Sequence, residues 1–331
     1  MQGDKRIRLA LIYGGRGVES EVSISGMEHI CSLMDDDTYS TTKVFIDKNG
    51  RWLIDGCEAF PFKGGFYCPE NQRHHSIDVA FPLLHGDFGE DGVVQGALES
   101  AMIAYVGCDV SAGAVCRDKA LVKTIAASLG IPTLNFLLLL KSEGVDYAVR
   151  QCEREIGYPV FIKPTRLGSS VGVGCADNRL RLEELIQKAF SLSTRILAEP
   201  FLSDKRELEC GYLRAESKEI FTNPGEILIN GLYGYEEKYH DCQVGVAIRA
   251  DVPTKVALDI REYSRRLVRA LGIRDLSRID FFLSGDKLYF NEINTMPGFT
   301  SGSLYPKMIE GVGIGQRDLI FTLVRRAIAR T

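Results

Sequence analysis

A lysine followed by a run of small residues is one segment whose side chains and backbone could bind a phosphate. The stretch KPTRLGSSVGVG places Lys163 ahead of three glycines and two adjacent serines. Glycines allow backbone amides to approach a phosphate closely, and a lysine adds a positive point charge. The spacing differs from that of a Walker A loop, because no Gly-Lys-Ser/Thr triplet follows. Composition alone therefore leaves two interpretations open, a phosphate-binding loop or a plain connection.

Acidic and amide side chains cluster in a predicted hairpin near the end of the chain, which reads RIDFF before its turn and NEIN after it. Glu292 and Asn294 are two residues apart, so they share one face of a strand. Asp280 joins that face if the hairpin is centred on Asp286 with a three-residue loop, whereas a two-residue Gly-Asp turn would direct Glu292 away. Three oxygen ligands suit Mg²⁺. The alternative is a solvated edge of the sheet.

Two further carboxylates stand where a predicted element ends or begins. Glu199 follows an apolar run and precedes the segment PFL, where a carboxylate and an aromatic ring could hold a purine. Glu19 and Ser23 lie just beyond a glycine pair, where the first helix should start. Each feature also has a simpler explanation, since glutamates are common at strand ends and in the first turn of a helix.

One histidine lies in a glycine-rich acidic loop. The segment HGDFGEDG begins at His85, includes Glu90 and follows a predicted buried strand. A loop of this composition has no packing reason to contain a histidine, so it is a candidate ligand loop. The other four histidines do not have the spacing of metal ligands, and we assign them no role.

The elements that must position these residues alternate in the first third of the chain. The apolar run 7–13 reads as a strand buried on both faces, a helix is predicted from about Ser23, and 78–84 and 103–106 read as further strands. This alternation predicts a parallel sheet covered by helices, an α/β arrangement in which ligands meet the carboxyl ends of strands.

The remainder of the chain mixes helices with antiparallel signals. Asp118 and Asp177 are each predicted to cap a helix, and a long helix should begin after Pro253 and stop at Gly272. Strands are predicted at 158–163, 195–199, 208–213 and 226–229, and a hairpin over 279–293 turns at Gly-Asp.

Composition excludes several classes of protein. The chain has 331 residues, which predicts two or three domains, and a net charge of −4, which provides no electrostatic basis for binding nucleic acid or an anionic membrane. The nine cysteines are odd in number and no two have the C-x-x-C spacing, so we expect reduced thiols. The first apolar run is too short for a signal peptide, and the run 134–140 is too short to span a bilayer. We therefore expect a cytoplasmic protein.

Eight blocks of residues, in order along the chain, carry a resemblance to a known family: GGRGVESEVSISG, PLLHGDFGEDG, RDKALVK, FIKPTRLGSSVGVG, EPFL, YEEKY, SRIDFF and NEINTMPGFTSGSLYP. This set, from residue 14 to residue 306, resembles the D-alanine–D-alanine ligases of the ATP-grasp superfamily, including the related ligases of vancomycin-resistant bacteria. The resemblance implies a three-domain α/β fold, with a substrate-binding domain at 1–111, a central ATP-grasp domain at 112–201 and a C-terminal ATP-grasp and metal-binding domain at 202–331.

The resemblance also implies the substrates and the site. ATP would phosphorylate one D-alanine, and the acyl phosphate would react with the amine of the second, with two Mg²⁺ or Mn²⁺ ions at Asp280, Glu292 and Asn294, a set that requires the three-residue hairpin loop. The implied nucleotide-binding residues are Lys119, Lys163, Ser169, Glu199, Phe201, Leu202, Glu207, Lys238 and Phe282. The implied residues for substrates and catalysis are Glu19, His85, Glu90, Ser169, Tyr239, Arg278, Gly298, Ser303 and Leu304. A homodimer is the family's usual state.

Two departures and two alternatives remain. Gly17 replaces a common serine, and Gly234 replaces a common aspartate in the loop 231–243, which the resemblance implies closes over the site. The first alternative is a D-alanine–D-serine ligase that confers vancomycin resistance, because Gly302 and Tyr305 are positions where a difference in the second subsite could lie. The second is a non-catalytic ATP-binding relative, against which the intact Asp280, Glu292, Asn294, Lys163 and Arg278 argue.

Overall fold

The computed structural model describes residues 6–168, 171–228 and 245–330. These residues contain four β-sheets. The strands are β1 Ile7–Gly14, β2 Tyr39–Ile46, β3 Trp52–Ile54, β4 Cys57–Glu58, β5 Phe60–Pro61, β6 Gly65–Cys68, β7 Arg73–Ser76, β8 Val79–Pro82, β9 Leu137–Leu140, β10 Val160–Pro164, β11 Gly174–Ala176, β12 Arg195–Pro200, β13 Arg206–Ala215, β14 Lys218–Phe221, β15 Gly225–Leu228, β16 Gly245–Ala247, β17 Leu276–Ser284 and β18 Lys287–Asn294. The helices are α1 Ser20–Leu33, α2 Val93–Ser100, α3 Val110–Arg117, α4 Lys119–Ser128, α5 Val145–Glu155, α6 Arg179–Leu192, α7 Thr254–Leu271, α8 Leu304–Glu310 and α9 Gln316–Ile328. None of these helices is long and apolar enough to cross a membrane.

The first sheet has the order β4-β3-β2-β1-β8, and β1 runs parallel to both β2 and β8. The prediction of a parallel sheet is confirmed for β2, β1 and β8, whereas β3 and β4 extend the sheet as antiparallel strands. The loops after β1 and β8 meet at the carboxyl ends of the parallel strands. Ser23 joins them, since its hydroxyl accepts from Gly14 N at 2.9 Å and donates to the Leu83 carbonyl at 2.5 Å. The helix begins at Ser20, three residues earlier than predicted.

The predicted strand at 103–106 is wrong. Only an isolated parallel bridge joins Ala80 to Tyr105 there, through hydrogen bonds from Ala80 N to the Ala104 carbonyl and from Val106 N to the Ala80 carbonyl. The backbone then turns at Gly107, whose φ is +107°, so the segment leaves the sheet before a ladder can form.

Gly14, at the end of β1, supports a prediction about stability. Its φ is +93°, and an added Cβ would lie 2.4 Å from the Ile46 carbonyl oxygen. We expect Gly14→Ala to destabilise the protein by about 2–5 kcal/mol, the sum of backbone strain and overpacking. Gly56→Ala is the matched control, because its φ is +81° but nothing lies within 4 Å of the added Cβ. It should cost only about 1–2 kcal/mol. Equal shifts in the urea midpoints of both variants would contradict this account.

The second sheet has the antiparallel order β11-β10-β12-β9, and α5 and α6 pack their apolar faces on it. Asp118 caps α4 as predicted, its carboxylate accepting from Ala120 N at 3.1 Å. The predicted cap of α6 at Asp177 is wrong by one residue. Asn178 is the N-cap, and its side chain accepts from Arg181 N at 3.0 Å.

Helices α3 and α4 pack in the same hydrophobic cluster as the third sheet, through residues such as Cys116 and Val122. Phe290 N in β18 donates to the Pro132 carbonyl at 2.8 Å, which joins the end of this helical segment to the sheet. The helical segment therefore connects the two sheets that border the cleft described below.

The third sheet has the order β16-β15-β13-β17-β18, with β14 paired to β13. Helix α7 packs against it and ends at Gly272, which has the left-handed conformation predicted for that stop. The turn between β17 and β18 has two residues, because Ser284 pairs with Lys287, so the expected three-residue loop is wrong. Asp280 nevertheless pairs with Glu292, since a β-bulge at Asn291 shifts the register by one residue.

Candidate active site

A cleft lies between the second and third sheets, with about 910 Å³ of space that is partly open to solvent. It brings together all the described residues that the sequence analysis assigned to a nucleotide. Its lining includes Lys119, Lys163, Glu199, Phe201, Leu202, Glu207 and Phe282, together with Leu134, Phe161, Val173, Lys205, Asn291 and Glu292. One part is aromatic, since Phe161 stacks on Phe201 with ring centroids 6.2 Å apart, and the other part is charged.

A buried carboxylate lines the charged part of the cleft. Glu199, on β12, is only 2% exposed, and its two oxygens lie 2.7 Å from Lys123 Nζ and 2.5 Å from Lys163 Nζ. Glu199 pairs with Phe161 of β10 across the sheet. Lys163 is two residues further along β10, so its side chain lies on the same face as Phe161 and Glu199. An isolated charge could not be buried here, and the two ammonium groups compensate for the lost hydration of the carboxylate.

Glu199 gives an expected pH dependence. Burial opposes its ionised form, but Lys163 and Lys123 outweigh burial and lower the pKa of Glu199 to about 2. Because the unfolded value is about 4.3, the ionised carboxylate stabilises the fold above that pH, and this contribution is lost as the pH falls towards 2. We expect the stability deficit of Glu199→Gln, relative to the wild type, to shrink as the pH falls from about 5 to 3. Urea midpoints measured across this range test it, and a constant deficit would contradict it.

The acidic hairpin faces the same cleft, and its charges are already paired with cations. Arg278 donates two hydrogen bonds to the Asp280 carboxylate, at 2.8 and 2.7 Å, and its Nε lies 3.1 Å from Glu209. Asn294 Nδ2 also donates to Asp280, at 3.0 Å. Lys119 Nζ lies 3.2 Å from Glu292. Burial opposes the ionised form of Glu292, but Lys119 and Lys163 outweigh it and lower its pKa.

The bulge at Asn291 explains how Asn291 and Glu292 both line the cleft. In a regular strand, neighbouring side chains point to opposite faces, but the extra residue of a bulge lets two successive side chains share one face. Asn291 Oδ1 accepts from Lys163 at 3.3 Å, which ties the hairpin to β10.

The donor set fits a hard divalent cation. Asp280, Glu292 and Asn294 offer two carboxylates and an amide oxygen, the ligand chemistry of Mg²⁺. Across residues 6–168, 171–228 and 245–330, no three His, Cys, Asp or Glu side chains form a metal-binding group, so the amide of Asn294 is needed to complete the set.

The loop after β8, which includes His85 and Glu90, forms an acidic corner beside the hairpin and contacts the chain that follows β18. Glu90 accepts from Gly86 N at 2.9 Å within the loop and from Met296 N at 3.3 Å across it. His85 Nδ1 donates to the Met296 carbonyl at 3.1 Å. The histidine that sequence could not explain by packing therefore fixes the backbone beyond the acidic hairpin.

Arg117, the last residue of α3, connects this loop to the start of α4. Its guanidinium donates to Asp87 at 3.1 Å and lies 3.8 Å from Glu90. Glu19, the N-cap residue of α1, reaches the same corner, because a Cβ added at Gly86 would lie 2.4 Å from its Oε2 and 3.5 Å from Arg117 Nη2. A small cavity joins the corner to the hairpin, and its lining includes Glu90, Arg117, Lys119, Glu292 and Asn294.

The segment after β18 provides the remaining predicted residues. Ser303 is the N-cap of α8, and its hydroxyl accepts from Thr300 N at 3.0 Å. Gly298 packs against it so closely that an added Cβ would lie 2.7 Å from the Ser303 hydroxyl oxygen. Leu304 follows and is 6% exposed. Ser169, Lys238 and Tyr239, and with them the loop 231–243, lie outside the described residues.

Sequence reasoning missed four charged residues of the site, one of which, Lys205, lines the cleft and pairs with Glu207. Lys123 is 0% exposed, and Arg117 and Glu209 are nearly buried beside predicted site residues. Lys123 had a signal, since it follows Lys119 by four residues and therefore lies on the same side of α4. Charges at that spacing usually mark a solvated helix face, so the spacing alone does not indicate a buried lysine.

Comparisons with known proteins agree with this architecture. The family model described as D-ala D-ala ligase C-terminus matches residues 125–325, and the one described as D-ala D-ala ligase N-terminus matches residues 63–108. The D-alanine–D-alanine ligase of Caldicellulosiruptor bescii is 38% identical over 98% of this chain and 96% of its own length. Two solved structures are each 28% identical over 98% of this chain: D-alanyl-alanine synthetase A from Vibrio cholerae, with a TM-score of 0.89 over 99% of that structure, and the VanG D-Ala:D-Ser ligase from Enterococcus faecalis, with a TM-score of 0.88 over 100%.

Fold, cleft and similarity together define an ATP-dependent ligase with the α/β ATP-grasp fold, as the resemblance implied. Full-length relatives at more than a third identity narrow the class further. The chain belongs to the D-alanine–D-alanine ligase family.

Proposed function

We propose that this chain uses ATP to join two D-alanine molecules, making D-alanyl-D-alanine for peptidoglycan synthesis. The observation that carries the proposal is the adjacency of two subsites: Lys119 and Glu292 line both the nucleotide cleft and the small cavity that reaches Glu90, and Glu19 lies beside Gly168 of the cleft. A ligase that activates a carboxylate with ATP needs these two subsites in contact, because the acyl phosphate must form and react in one place.

The cleft suits ATP. Phe161, Phe201 and Phe282 provide apolar surface for a purine, and Glu199 offers a carboxylate to its edge. Lys119 and Lys163 would hold the phosphates, while Glu207 would reach the ribose. Asp280, Glu292 and Asn294 would hold one or two Mg²⁺ (or Mn²⁺) ions, which when bound neutralise phosphate charge. Lys119 also donates to the Leu167 carbonyl at 2.9 Å, so it would connect the phosphates to the Gly-Ser loop.

In the first step, an oxygen of the first D-alanine carboxylate attacks the γ-phosphorus, and ADP leaves. Two anions must approach each other, so the main requirement of the site is positive charge, which Lys119, Lys163 and Arg278 supply. Glu19 would bind the ammonium of this D-alanine, and the His85 and Glu90 loop would lie beside it. The product is a D-alanyl phosphate.

In the second step, the amine of the second D-alanine attacks the carbonyl carbon, and phosphate leaves with the oxygen that it took from the carboxylate. An oxyanion develops on the carbonyl oxygen, and Arg278 and the Gly298 amide would stabilise it. Ser303 and Leu304 would contact the second D-alanine. Arg278 has a rigid orientation for this task, because Asp280 and Glu209 hold its guanidinium.

A competition assay tests the proposal. Purified protein with ATP, Mg²⁺ and D-alanine is offered D-serine or D-lactate as well, and mass spectrometry identifies the products. We expect D-alanyl-D-alanine as the main product. Phosphate release without a coupled product would contradict the ligase proposal.

A D-alanine–D-serine ligase is the second candidate function. The VanG D-Ala:D-Ser ligase matches this chain with a TM-score of 0.88, so the fold does not separate the two activities. Exclusion of D-serine from a site that accepts D-alanine depends on one hydroxyl group, which a single polar side chain near the second subsite can accommodate. A mixed D-alanyl-D-serine product as the main species in the assay would favour this candidate.

We further propose that the enzyme is a cytoplasmic homodimer, as the family resemblance implies. Sedimentation equilibrium tests the stoichiometry, and a single species at the monomer mass of 36.7 kDa would contradict it.

A further inference from the structure

The Glu199 carboxylate has two lysine partners, although only one of them reaches the cleft. Lys163 lines the cleft together with Glu199. Lys123 lies on the other side of the carboxylate, 2.7 Å from Oε1, and is absent from the cleft lining. The two lysines therefore contact the same carboxylate from different surroundings, one accessible to a ligand and one inside the protein.

Lys123 is completely buried, with 0% of its surface exposed. It lies in the middle of α4, where that helix packs on β18, and its Nζ is 3.5 Å from the Phe290 carbonyl. Lysine is almost never fully buried unless it is paired with a counter-charge. Burial lowers the pKa of Lys123 to about 8 against the opposing effect of Glu199, so the ammonium stays largely protonated at neutral pH. Lys123 therefore forms an ion pair with Glu199 and is too deeply buried to contact a nucleotide.

The need for a second partner follows from what Lys163 must do when a nucleotide binds. On the proposed function, Lys163 turns towards the phosphates and weakens its own contact with Glu199. A carboxylate that is 2% exposed cannot lose its counter-charge without a large desolvation cost. With Lys163 as its single partner, Glu199 would therefore compete with the nucleotide for the Lys163 ammonium group.

We propose that Lys123 is a positioning residue that keeps Glu199 paired from inside the protein, so that Lys163 is free to bind the nucleotide phosphates. The inference rests on the nucleotide site of the proposed function. It adds a specific division of roles within the Lys123–Glu199–Lys163 triad: Lys123 remains with the carboxylate in every state, and Lys163 exchanges between the carboxylate and the ligand.

The first test compares Lys123→Met with the wild type. Methionine fills a similar volume without charge, so Glu199 would retain Lys163 as its only partner. We expect the Kd for ADP, measured by calorimetry, and the KM for ATP to rise by roughly 10- to 100-fold, the size of effect seen when a residue that orients a metal ligand is removed. The KM for D-alanine at saturating ATP should stay unchanged. Lys188→Met, on the exposed face of α6, is the matched control and should leave every value unchanged.

A double-mutant cycle separates this role from simple packing. In a Glu199→Gln background no carboxylate competes for Lys163, so adding Lys123→Met should raise the Kd for ADP little or not at all. The double variant also leaves no buried charge of this pair unpaired, so it still tests the inference if Lys123→Met alone does not fold: a rise in the Kd for ADP of about tenfold over Glu199→Gln would then overturn it. An equal loss of ADP affinity in both backgrounds, or an unchanged Kd in Lys123→Met, would overturn the inference. Because the readout is ADP binding, it is independent of whether the wild type forms D-alanyl-D-alanine.

Discussion

Replacing Glu292 by alanine reduces turnover by at least about 100-fold while the protein stays folded, since even outer residues of a metal site contribute 10- to 100-fold. Glu292 lies at the β-bulge, where it lines the cleft beside Asn291, and it pairs with Lys119 at 3.2 Å. Its loss removes one of two carboxylates from the proposed cation site and leaves Lys119 without its carboxylate partner. The fold should survive because the buried side of the hairpin, formed by Phe281, Phe290 and Ile293, is unchanged.

The measurement is the initial rate of ADP release at saturating ATP and D-alanine, together with the urea midpoint. Glu184→Ala is the control, because Glu184 is exposed on α6 and its ion pair among the described residues is with Arg181 at the surface. A rate near that of the wild type in Glu292→Ala would remove Glu292 from the cation site.

Replacing Arg278 by lysine lowers kcat by about 10²- to 10³-fold, the usual cost of losing one oxyanion donor. Lysine keeps the positive charge beside Asp280 and Glu209, but it cannot reproduce the two parallel hydrogen bonds that now orient the guanidinium. The KM for ATP should change little, because Arg278 does not line the nucleotide cleft. A variant whose KM for ATP rises while kcat is kept would contradict the proposed role.

Arg278→Ala separates charge from geometry. It leaves Asp280 and Glu209, both largely buried, without a shared cation, so we expect a loss of stability of about 3–5 kcal/mol. Arg278→Lys should lose much less stability, and thermal unfolding of the two variants measures the difference. Equal melting temperatures would show that the ion pairs contribute nothing to the fold.

Most strands and helices were predictable because their apolar periodicity and caps are local properties of the chain. Strand β1 and the Asp118 cap of α4 are examples. The segment 103–106 was not, because its apolar residues are equally compatible with a buried strand and a single bridge. Which of the two forms depends on the backbone turn at Gly107 and on neighbours distant in sequence.

The hairpin illustrates what sequence reasoning could and could not provide. The two-residue turn at Gly285 and the pairing of Asp280 with Glu292 are mutually exclusive in a regular hairpin, and a bulge at Asn291 reconciles them. A signal was present, because the buried apolar residues 288 and 290 are followed by 293 instead of 292, a break in the period of two. Such a break in the alternation of apolar residues along a strand indicates a β-bulge.

The charged partners of the site were the least predictable part. Lys123 carries a charge that sequence patterns assign to solvent, and only the tertiary packing of α4 on β18 buries it against Glu199. Arg117 is similar, since its partners Asp87 and Glu90 come from a loop about thirty residues earlier in the chain. Long-range ion pairs have no local signature.

Transfer of an isotopic label tests the central claim most directly. D-alanine labelled with ¹⁸O in both carboxylate oxygens is incubated with the enzyme, ATP and Mg²⁺, and the inorganic phosphate and the peptide are analysed by mass spectrometry. A D-alanyl phosphate intermediate predicts one ¹⁸O atom in the phosphate for each D-alanyl-D-alanine formed, because the carboxylate oxygen that attacked the γ-phosphorus leaves with it. Phosphate without ¹⁸O, or with no accompanying dipeptide, would contradict the account.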